Sequence, residues 1–422
     1  MLRAISLFTG IGGLDFGFES AGYETSAAVE MDSYSCRSIR ANRNWNVIEE
    51  DINLVSSKDI LDVGSLSVGE ADVVIGGPPC QPFSKSGYWV KGDSLRLDDP
   101  RADTLTAYLR VVRDTLPKTF LLENVTGFSF KKKDEGLQYI LNGVNQINEE
   151  TGSNYKVTWR VINCADYGVP QIRERVFLVG SREGRSFRFP EPTHMSKKEA
   201  AKEQDLFTQK EIHRNCWDAI GDLDEKNIDK STLQVGGKWG ELLPTIPEGE
   251  NYLWHTNRKG GEPLFGWRTR YWSFLLKLAK NSPSWTIQAQ PGASVGPFHW
   301  KNRKLTFEEM ARIQTFPDGL NMHESRTEMQ RMVGNAVPSL IAEILAREIS
   351  KQLLDTPYKG SLKLLPPVRM NLPKPERVTK LPRKYHECIG VHADHPGEGK
   401  GRRSANRLNT SNENSAGVNL VK

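Results

Sequence analysis

The sequence predicts an α/β fold in which a parallel sheet is joined to a second, smaller and irregular domain. From residue 1 to about 180, short apolar runs alternate with segments of helical character, which is the pattern of βαβ units. Between about 182 and 300 this alternation is lost, and seven of the ten tryptophans lie there among prolines, glycines and charges. The length of 422 residues also exceeds the roughly 250–300 at which one core stops growing. Two domains are therefore expected.

Seven candidate strands build the predicted sheet. The last two lie close enough in the chain to pair antiparallel. The seven are Ala4–Phe8, Ser26–Glu30, Val47–Glu49, Asp72–Ile75, Thr119–Leu122, Lys156–Ile162 and Arg175–Val179.

Helical spacing returns after the irregular stretch. Thr306 is predicted to cap a helix, with Glu309 completing a capping box. A final helix is predicted from about Ser339 to Leu354, with Pro338 in its first turn. Beyond it the chain lacks hydrophobic periodicity, so we expect a flexible tail whose removal leaves a folded protein. The predicted domains are residues 1–181 plus 329–355, residues 182–328, and a basic tail of residues 356–422.

The net charge of +5 is unevenly distributed along the chain. Residues 356–422 carry 13 Lys/Arg against 5 Asp/Glu, so they hold +8 and residues 1–355 hold −3. A negative net charge repels phosphate, so nucleic-acid binding by the folded body depends on where its basic residues are placed. Net charge by itself identifies no partner.

The amino-acid composition also indicates the cellular compartment of the protein. No stretch approaches about 18 uncharged apolar residues, and the first residues lead directly into a glycine-rich loop, so neither a membrane segment nor secretion is expected. The 5 cysteines lie far apart and none belongs to a C-x-x-C pair. This spacing suggests neither a disulfide framework nor a zinc site, and we expect no metal. These observations are interpreted as those of a cytoplasmic protein.

A glycine-rich loop, FTGIGGL, follows the first predicted strand and opens a helix. Its spacing does not fit the Rossmann dinucleotide fingerprint, and the P-loop lysine is absent. The second strand ends at Glu30, whose carboxylate can accept two hydrogen bonds from a ribose diol, and Met31 can lie against an adenine. Asp51 and Ile52 follow the third strand, where an adenine can be contacted. Because these strand ends share one sheet edge, they favour an adenosine-containing ligand there.

Two further strand ends bring reactive side chains to the same edge. The proline-rich loop GGPPCQPFS holds Cys80, a candidate nucleophile because its loop is rigid and lies beside the ligand site. The fifth strand leads to Glu123, where a raised pKa would suit proton donation. Arg173 and Arg175 open the last strand and share one face at strand spacing, which suits a carbonyl or a phosphate.

Eight motifs resemble, in order, those of DNA (cytosine-5)-methyltransferases of the bacterial restriction-modification type: FTGIGG, EMD, EDI, GGPPCQPFS, ENV, QIRER, ARIQTFP and GNAVP. The resemblance covers residues 4 to about 350 and implies a Rossmann-like sheet that uses S-adenosylmethionine. It makes Cys80 the nucleophile, Glu123 a contact to the target base, and Arg175 the donor to the carbonyl oxygen of that base. The cofactor-binding residues it implies are Phe8, Gly10, Gly12, Leu14, Glu30, Met31, Asp51, Ile52 and Asn335.

The resemblance also implies a reaction and a partner. The reaction is methyl transfer to carbon 5 of a flipped-out cytosine in a specific duplex DNA sequence, through a covalent bond from Cys80 to carbon 6. Residues 182–328 would then be the target-recognition domain. The expected biological role is protection of host DNA beside a restriction endonuclease or another defence component, by a protein that acts on DNA as a monomer and uses no membrane.

Three other functions are weighed against this one. A related RNA-acting family methylates tRNA cytosines, but it carries a Cys-Phe-Thr tripeptide, and no cysteine here is followed by phenylalanine. A non-catalytic family member that only binds DNA would have no use for Cys80, Glu123 and Arg175. A nicotinamide-dependent Rossmann oxidoreductase would leave the cysteine loop unexplained.

Overall fold

The computed structural model describes residues 1–79, 103–129, 134–202, 210–223, 228, 231–267 and 271–391. The described chain forms two compact units. The first unit comprises Met1–Asn227, Lys280–Gln290 and Thr306–Leu372, and the second comprises Ile228–Ala279, Pro291–Leu305 and the described residues from Pro373 onward.

A seven-stranded sheet forms the first unit, in the order β3-β2-β1-β4-β5-β8-β6. Strands β1 to β5 are parallel to one another, whereas β8 is antiparallel to both β5 and β6. This confirms the α/β class and the predicted antiparallel pair. The strands are β1 Leu2–Leu7, β2 Tyr23–Glu30, β3 Val47–Glu49, β4 Val73–Gly76, β5 Thr119–Val125, β6 Lys156–Asn163, β7 Gln171–Ile172, β8 Glu174–Ser181, β9 His194–Met195, β10 Glu211–Ile212 and β11 Ser284–Trp285.

Helices cover both faces of this sheet. The predicted capping box is present, with the Thr306 side chain accepting from the Glu309 backbone N–H, and the final helix begins at Ser339 as predicted. The helices are α1 Gly13–Ser20, α2 Ser33–Asn42, α3 Ser57–Val63, α4 Asp103–Thr115, α5 Glu135–Thr151, α6 Lys197–Ala200, α7 Cys216–Ile220, α8 Phe307–Ile313, α9 Arg326–Asn335 and α10 Ser339–Gln352.

The core of the first unit consists of two apolar clusters, one on each face of the sheet. Successive residues of a strand point to opposite faces, so Ile5 joins the cluster that α4 and α5 cover, and Ala4 joins the cluster that α1 and α10 cover. With both faces buried, the parallel strands are largely apolar in the sequence. Ser6, Thr25 and Ser26 are buried polar exceptions within β1 and β2, whereas Glu30 lies at a strand end, where a ligand can reach it.

Strand β5 is longer than the sequence predicts. It continues past Leu122 to Val125, because its antiparallel pairing with β8 extends to the pair Val125–Arg175. Glu123 therefore lies on a strand rather than in the loop after it. Backbone pairing on that strand fixes the position of its side chain.

The second unit has its own aromatic core. Tyr252, Phe265 and Phe274 pack on one another at 5.5–6.1 Å between ring centroids. Trp239 packs edge-on against Phe265 and stacks on Tyr385, with centroids 5.5 Å apart. Tyr385 lies within the predicted tail but is only 2% exposed. This unit therefore contains part of the C-terminal segment.

The described residues of the C-terminal segment are not a free tail, which corrects the sequence-based expectation. In the first unit, the Glu343 carboxylate accepts from the backbone N–H groups of Lys363 (2.8 Å) and Leu364 (3.0 Å). The Arg369 backbone N–H donates to Asp218 at 2.8 Å. The residues that attach this segment to the two units are isolated in the sequence and lack helical or strand spacing. Hydrophobic periodicity therefore does not predict the attachment. Residues 392–422 lie outside the described chain.

The unit boundaries also differ from the predicted ones. Residues 182–223 and 306–328, expected in the second domain, cluster with the first unit. None of the described helices is long and apolar enough to cross a lipid bilayer. Within the described chain, Cys36, Cys164, Cys216 and Cys388 are free thiols, and no group of His, Cys, Asp or Glu could hold a metal ion.

Candidate active site

The first glycine loop turns the chain from β1 into α1. Phe8, Gly10 and Gly12 all have positive φ (54°, 56° and 84°), and Gly12 caps α1. A Cβ on Gly12 would lie 2.8 Å from the Trp45 ring, whereas a Cβ on Gly10 would meet nothing within 4 Å. The tight turn thus requires glycine at Gly12, and open space lies beside the backbone at Gly10. A ligand can approach the loop there.

A buried polar network lies beneath this loop. The Asp15 carboxylate, 0% exposed, accepts hydrogen bonds from Ser6 Oγ (3.0 Å) and Thr25 Oγ1 (3.1 Å). Thr9 Oγ1 donates to Ser6 Oγ at 3.0 Å, so the network includes the loop itself. Burial raises the pKa of Asp15 to about 7. The sequence reasoning missed Asp15, because an acidic residue in the first turn of a helix is ordinarily a partner of the helix dipole.

Glu30 ties the first loop to the end of β2. Its Oε2 accepts from the Gly10 backbone N–H at 2.7 Å, and its Oε1 accepts from the Asp32 backbone N–H at 2.8 Å. Burial raises the pKa of Glu30, and these backbone donors oppose that rise. Each carboxylate oxygen has a second acceptor position. Glu30 can therefore hold the loop and a ligand hydroxyl at the same time.

The other nucleoside-site candidates divide by exposure. Met31 is 68% exposed, and the Asp51 carboxylate is half-buried, with Oδ1 accepting from the Asn53 backbone N–H at 2.9 Å. Ile52 and Leu14 are buried and pack in the core. Met31 and Asp51 can thus meet a ligand with their side chains, whereas Leu14 and Ile52 support the backbone around it.

The GNAVP segment returns to the first loop. Asn335 is the last residue of α9 and is exposed. Two residues later the chain crosses the start of α1, where a Cβ on Gly13 would lie 2.4 Å from the Val337 carbonyl oxygen. Only glycine allows this approach. The structure therefore brings Asn335 to the neighbourhood of the glycine loop.

Two buried side chains hold the end of α9 in place. Arg173 Nη2 donates to the carbonyl oxygens of Gly334 (3.0 Å) and Ala336 (2.9 Å), and Gln314 Nε2 donates to Val333 O at 2.7 Å. Carbonyls at a helix C-terminus lack partners within the helix, and a cation there is favourable. Burial lowers the pKa of Arg173 to about 9. Arg173 thus supports the helix end, a role that strand spacing alone does not indicate.

Glu123 and Arg175 form a shielded pair at the same sheet edge. Arg175 Nε lies 2.9 Å from Glu123 Oε1, with side chains 16% and 11% exposed. Burial raises the pKa of Glu123, although the positive charges of Arg175 and Arg173 oppose this. The two residues come from neighbouring antiparallel strands, so they meet although 52 positions separate them. A carboxyl with a raised pKa beside a guanidinium can present a proton and a cation to one planar ligand.

Cys80 lies outside the described residues, but the chain that leads to it is described up to Pro79. A Cβ on Gly77 would lie 3.0 Å from Glu123 Oε2. Asn124 Nδ2 donates to the Pro78 carbonyl oxygen at 3.4 Å. The start of the cysteine loop is therefore held against the end of β5 that carries Glu123.

Comparison with known proteins places this geometry in context. Residues 2–351 match the family model for the C-5 cytosine-specific DNA methylase. The Type II methyltransferase M.SacI of Streptomyces achromogenes is 37% identical over 375 residues, which cover 83% of this chain and 93% of that protein. The Type II methyltransferase M.AquIA of Picosynechococcus sp. is 44% identical over 225 residues, 52% of this chain and 88% of the relative.

A solved structure shows the same fold. The crystal structure of a Spodoptera frugiperda DNMT2 mutant matches with a TM-score of 0.56 at 16% identity, covering 83% of this chain and 99% of the other. At this identity the likeness concerns the fold alone. It agrees with the Rossmann-like sheet expected from the motifs.

Proposed function

Because the chain belongs to the C-5 cytosine-specific DNA methylase family, we propose that it transfers a methyl group from S-adenosylmethionine to carbon 5 of a flipped-out cytosine in a specific duplex DNA sequence. The observation that supports this most directly is the buried pair of Glu123 and Arg175, 2.9 Å apart beside the start of the Cys80 loop. A proton donor and a cation meet there at the edge of one sheet, beside the described chain that leads to Cys80, the proposed nucleophile.

The chemistry requires these three groups because carbon 5 of cytosine is a weak nucleophile. The Cys80 thiolate forms a bond to carbon 6, and the electrons of the carbon 5–carbon 6 double bond become available at carbon 5. Glu123 gives a proton or hydrogen bond to N3, and Arg175 donates to O2, so both stabilise the charge that develops in the ring. Methyl transfer to carbon 5 would leave the donor as S-adenosylhomocysteine, a neutral thioether. Water then takes the carbon-5 proton, and breaking of the carbon–sulfur bond restores the double bond, frees the Cys80 thiolate and returns the N3 proton to Glu123.

The residues of the nucleoside site fit S-adenosylmethionine. The open space beside Gly10 admits a ligand, and Glu30 retains acceptor positions for a ribose diol. Met31 would lie against the adenine, and Asp51 would accept from its amino group. When bound, the cofactor supplies an electrophilic methyl group. Asn335, at the end of α9, would complete the site.

Duplex DNA is the proposed substrate, and its target base must leave the stack because a thiol cannot reach carbon 6 inside a helix. In the second unit, Arg258 and Lys301 are exposed, with Arg258 stacked 5.0 Å from the Trp267 ring. These side chains can meet phosphates or guanine edges. Arg303 is only 5% exposed, so it supports the unit instead. Other basic residues that could contact phosphates lie outside the described residues: Lys131, Lys132, Lys133, Arg268 and Arg270.

The proposed biological role is modification of host DNA in a restriction-modification system. Two relatives named Type II methyltransferases, at 37% and 44% identity, support it. On this proposal the protein acts in the cytoplasm as a monomer on DNA, and its functional partner is a restriction endonuclease that reads the same sequence.

A methyl-transfer assay tests the proposed function. Tritiated S-adenosylmethionine is incubated with the protein and either duplex DNA or tRNA, and Cys80→Ala serves as the matched control. We expect radioactivity in duplex DNA only, and none with the variant. Bisulfite sequencing of DNA from expressing cells then identifies the methylated sequence. Label in tRNA alone would favour the RNA-acting alternative, and DNA binding without transfer would favour a non-catalytic role.

A further inference from the structure

An ion pair joins α9 to the end of β2. Arg331 Nη2 lies 2.9 Å from both carboxylate oxygens of Asp32, and Arg331 Nε lies 2.6 Å from Glu328 Oε2. Asp32 also caps α2 by accepting from the Ser35 backbone N–H at 3.0 Å. The Arg331 and Asp32 side chains are 23% and 26% exposed. Several partners thus hold each group of the pair in one geometry.

We propose that Arg331 is a positioning residue of the cofactor site, which fixes α9 and its last residue, Asn335, over the nucleoside-binding end of β2. Asp32 directly follows Glu30 and Met31, the two residues assigned to the ribose and the adenine. Arg331 precedes Asn335 by about one helical turn. The pair therefore connects the two chain segments that would enclose the adenosine. This inference rests on the proposed function, because it concerns the same cofactor.

The remaining contacts of α9 explain why the effect should fall on ligand binding. The C-terminal end of α9 is held by Arg173 and Gln314, which do not depend on Arg331. A partly exposed ion pair contributes little to global stability. Loss of the Arg331–Asp32 pair should leave the helix folded and its C-terminal end attached to Arg173 and Gln314. The turn that carries Arg331 would lose its link to the end of β2, which lowers affinity for a ligand held between them.

The structure contains a matched control. Arg37, on α2, pairs with Glu324, in the segment that precedes α9, through bonds of 2.9 and 3.2 Å. This pair joins nearly the same two chain segments, but the Arg37 side chain is 54% exposed and is not adjacent in sequence to Glu30. Loss of the Arg37–Glu324 pair should weaken the attachment of this segment as much as loss of the Arg331–Asp32 pair does. Only loss of the Arg331–Asp32 pair should lower the affinity for S-adenosylmethionine.

The test is calorimetric binding of S-adenosylmethionine to the full chain without DNA. Arg331→Ala should raise the dissociation constant by about tenfold. Asp32→Ser, which keeps a helix-capping side chain but removes the charge, should do the same. The double variant should be no weaker than either single variant, Arg331→Lys should recover part of the loss, and Arg37→Ala should stay within about twofold of wild type. The melting temperatures of wild type and all of these variants should be alike.

In methyl-transfer assays, Arg331→Ala should change KM for S-adenosylmethionine more than it changes kcat.

Any of three results would overturn the inference. The first is wild-type affinity in Arg331→Ala, and the second is an equal loss in Arg331→Ala and Arg37→Ala. Additive losses in the double variant would also contradict coupling through the pair. Failure of the proposed function is distinguishable, because it would appear as absence of methyl transfer from wild-type protein to duplex DNA, whereas the inference concerns the change in S-adenosylmethionine affinity between wild type and variants.

Discussion

At the scale of single residues, Glu123 is subject to two opposing effects on its pKa. Burial favours its neutral form, and the Arg175 guanidinium 2.9 Å away favours its charged form. The pKa is raised, so burial has the larger effect. A carboxyl balanced in this way can pass a proton to N3 of a base and afterwards be stabilised as a carboxylate by Arg175.

Glu123→Gln keeps the shape of the side chain but removes the transferable proton. We expect kcat to fall by about 10²–10⁴ fold, the typical contribution of general acid catalysis, with S-adenosylmethionine affinity unchanged. Steady-state kinetics and calorimetry measure the two quantities. Glu149→Gln, an exposed substitution on α5, is the control. A kcat within twofold of wild type would remove Glu123 from the proton transfer.

Asp15 predicts a pH dependence of folding stability. Its pKa is about 7 in the folded protein and near 3.8 in the unfolded chain, so between these values the folded state binds more protons. Stability should therefore fall as pH rises from about 4 to about 7, because the unfolded chain loses the Asp15 proton first. Urea unfolding of wild type and Asp15→Asn checks this, because the variant lacks the titration. Parallel pH profiles would contradict the assignment.

At the scale of secondary-structure elements, the end of α9 depends on a side chain from another part of the chain. Arg173→Met keeps the apolar bulk but removes the Arg173 bonds to the Gly334 and Ala336 carbonyls, and Ala336 keeps only a 3.4 Å bond from Gln314 Nε2. We expect a loss of about 1–3 kcal/mol in the free energy of unfolding, the cost of leaving buried polar groups unsatisfied. Arg160→Met, whose side chain is 40% exposed, should change it by less than about 0.5 kcal/mol. Equal losses would contradict the role of Arg173.

The elements also show what sequence reasoning can and cannot predict. Short apolar runs between helical segments predict strands, and the bounds of the edge strand β3, Val47–Glu49, agree with the prediction to the residue. The extension of β5 to Val125 was not, because it depends on pairing with β8. The contact of Arg331 with Asp32 joins residues 299 positions apart, and no local pattern indicates it. Motifs indicate candidate site residues, but the contacts that position those residues depend on tertiary structure.

At the scale of the whole molecule, the C-terminal segment contributes to both units. Glu343 and Asp218 anchor it in the first unit, and Tyr385 is buried in the second. A chain that ends at residue 355 should therefore be clearly less stable than one that ends at residue 391, although sequence alone predicts no loss. Thermal unfolding of both truncations and the full chain tests this. Equal melting temperatures would restore the interpretation of a free tail.

A single substitution isolates the contribution within the second unit. Tyr385→Ala removes a ring that stacks on Trp239 and a hydroxyl that donates to Lys238 O at 2.8 Å. We expect a loss of about 3 kcal/mol in unfolding free energy. Val378→Ala, at a 47% exposed position of the same segment, should have little effect. Denaturant unfolding compares the two, and similar values would argue against a packed role for Tyr385.

The central claim, a covalent attack by Cys80 on the target cytosine, is tested most directly with duplex DNA that carries 5-fluorocytosine at the methylated position. Fluorine cannot leave as the carbon-5 proton does, so the enzyme should remain bonded to carbon 6 after methyl transfer. We predict a denaturant-resistant protein–DNA band that requires S-adenosylmethionine and is absent for Cys80→Ala. A band that persists in Cys80→Ala, or its absence with wild-type enzyme that methylates unmodified DNA, would contradict the account.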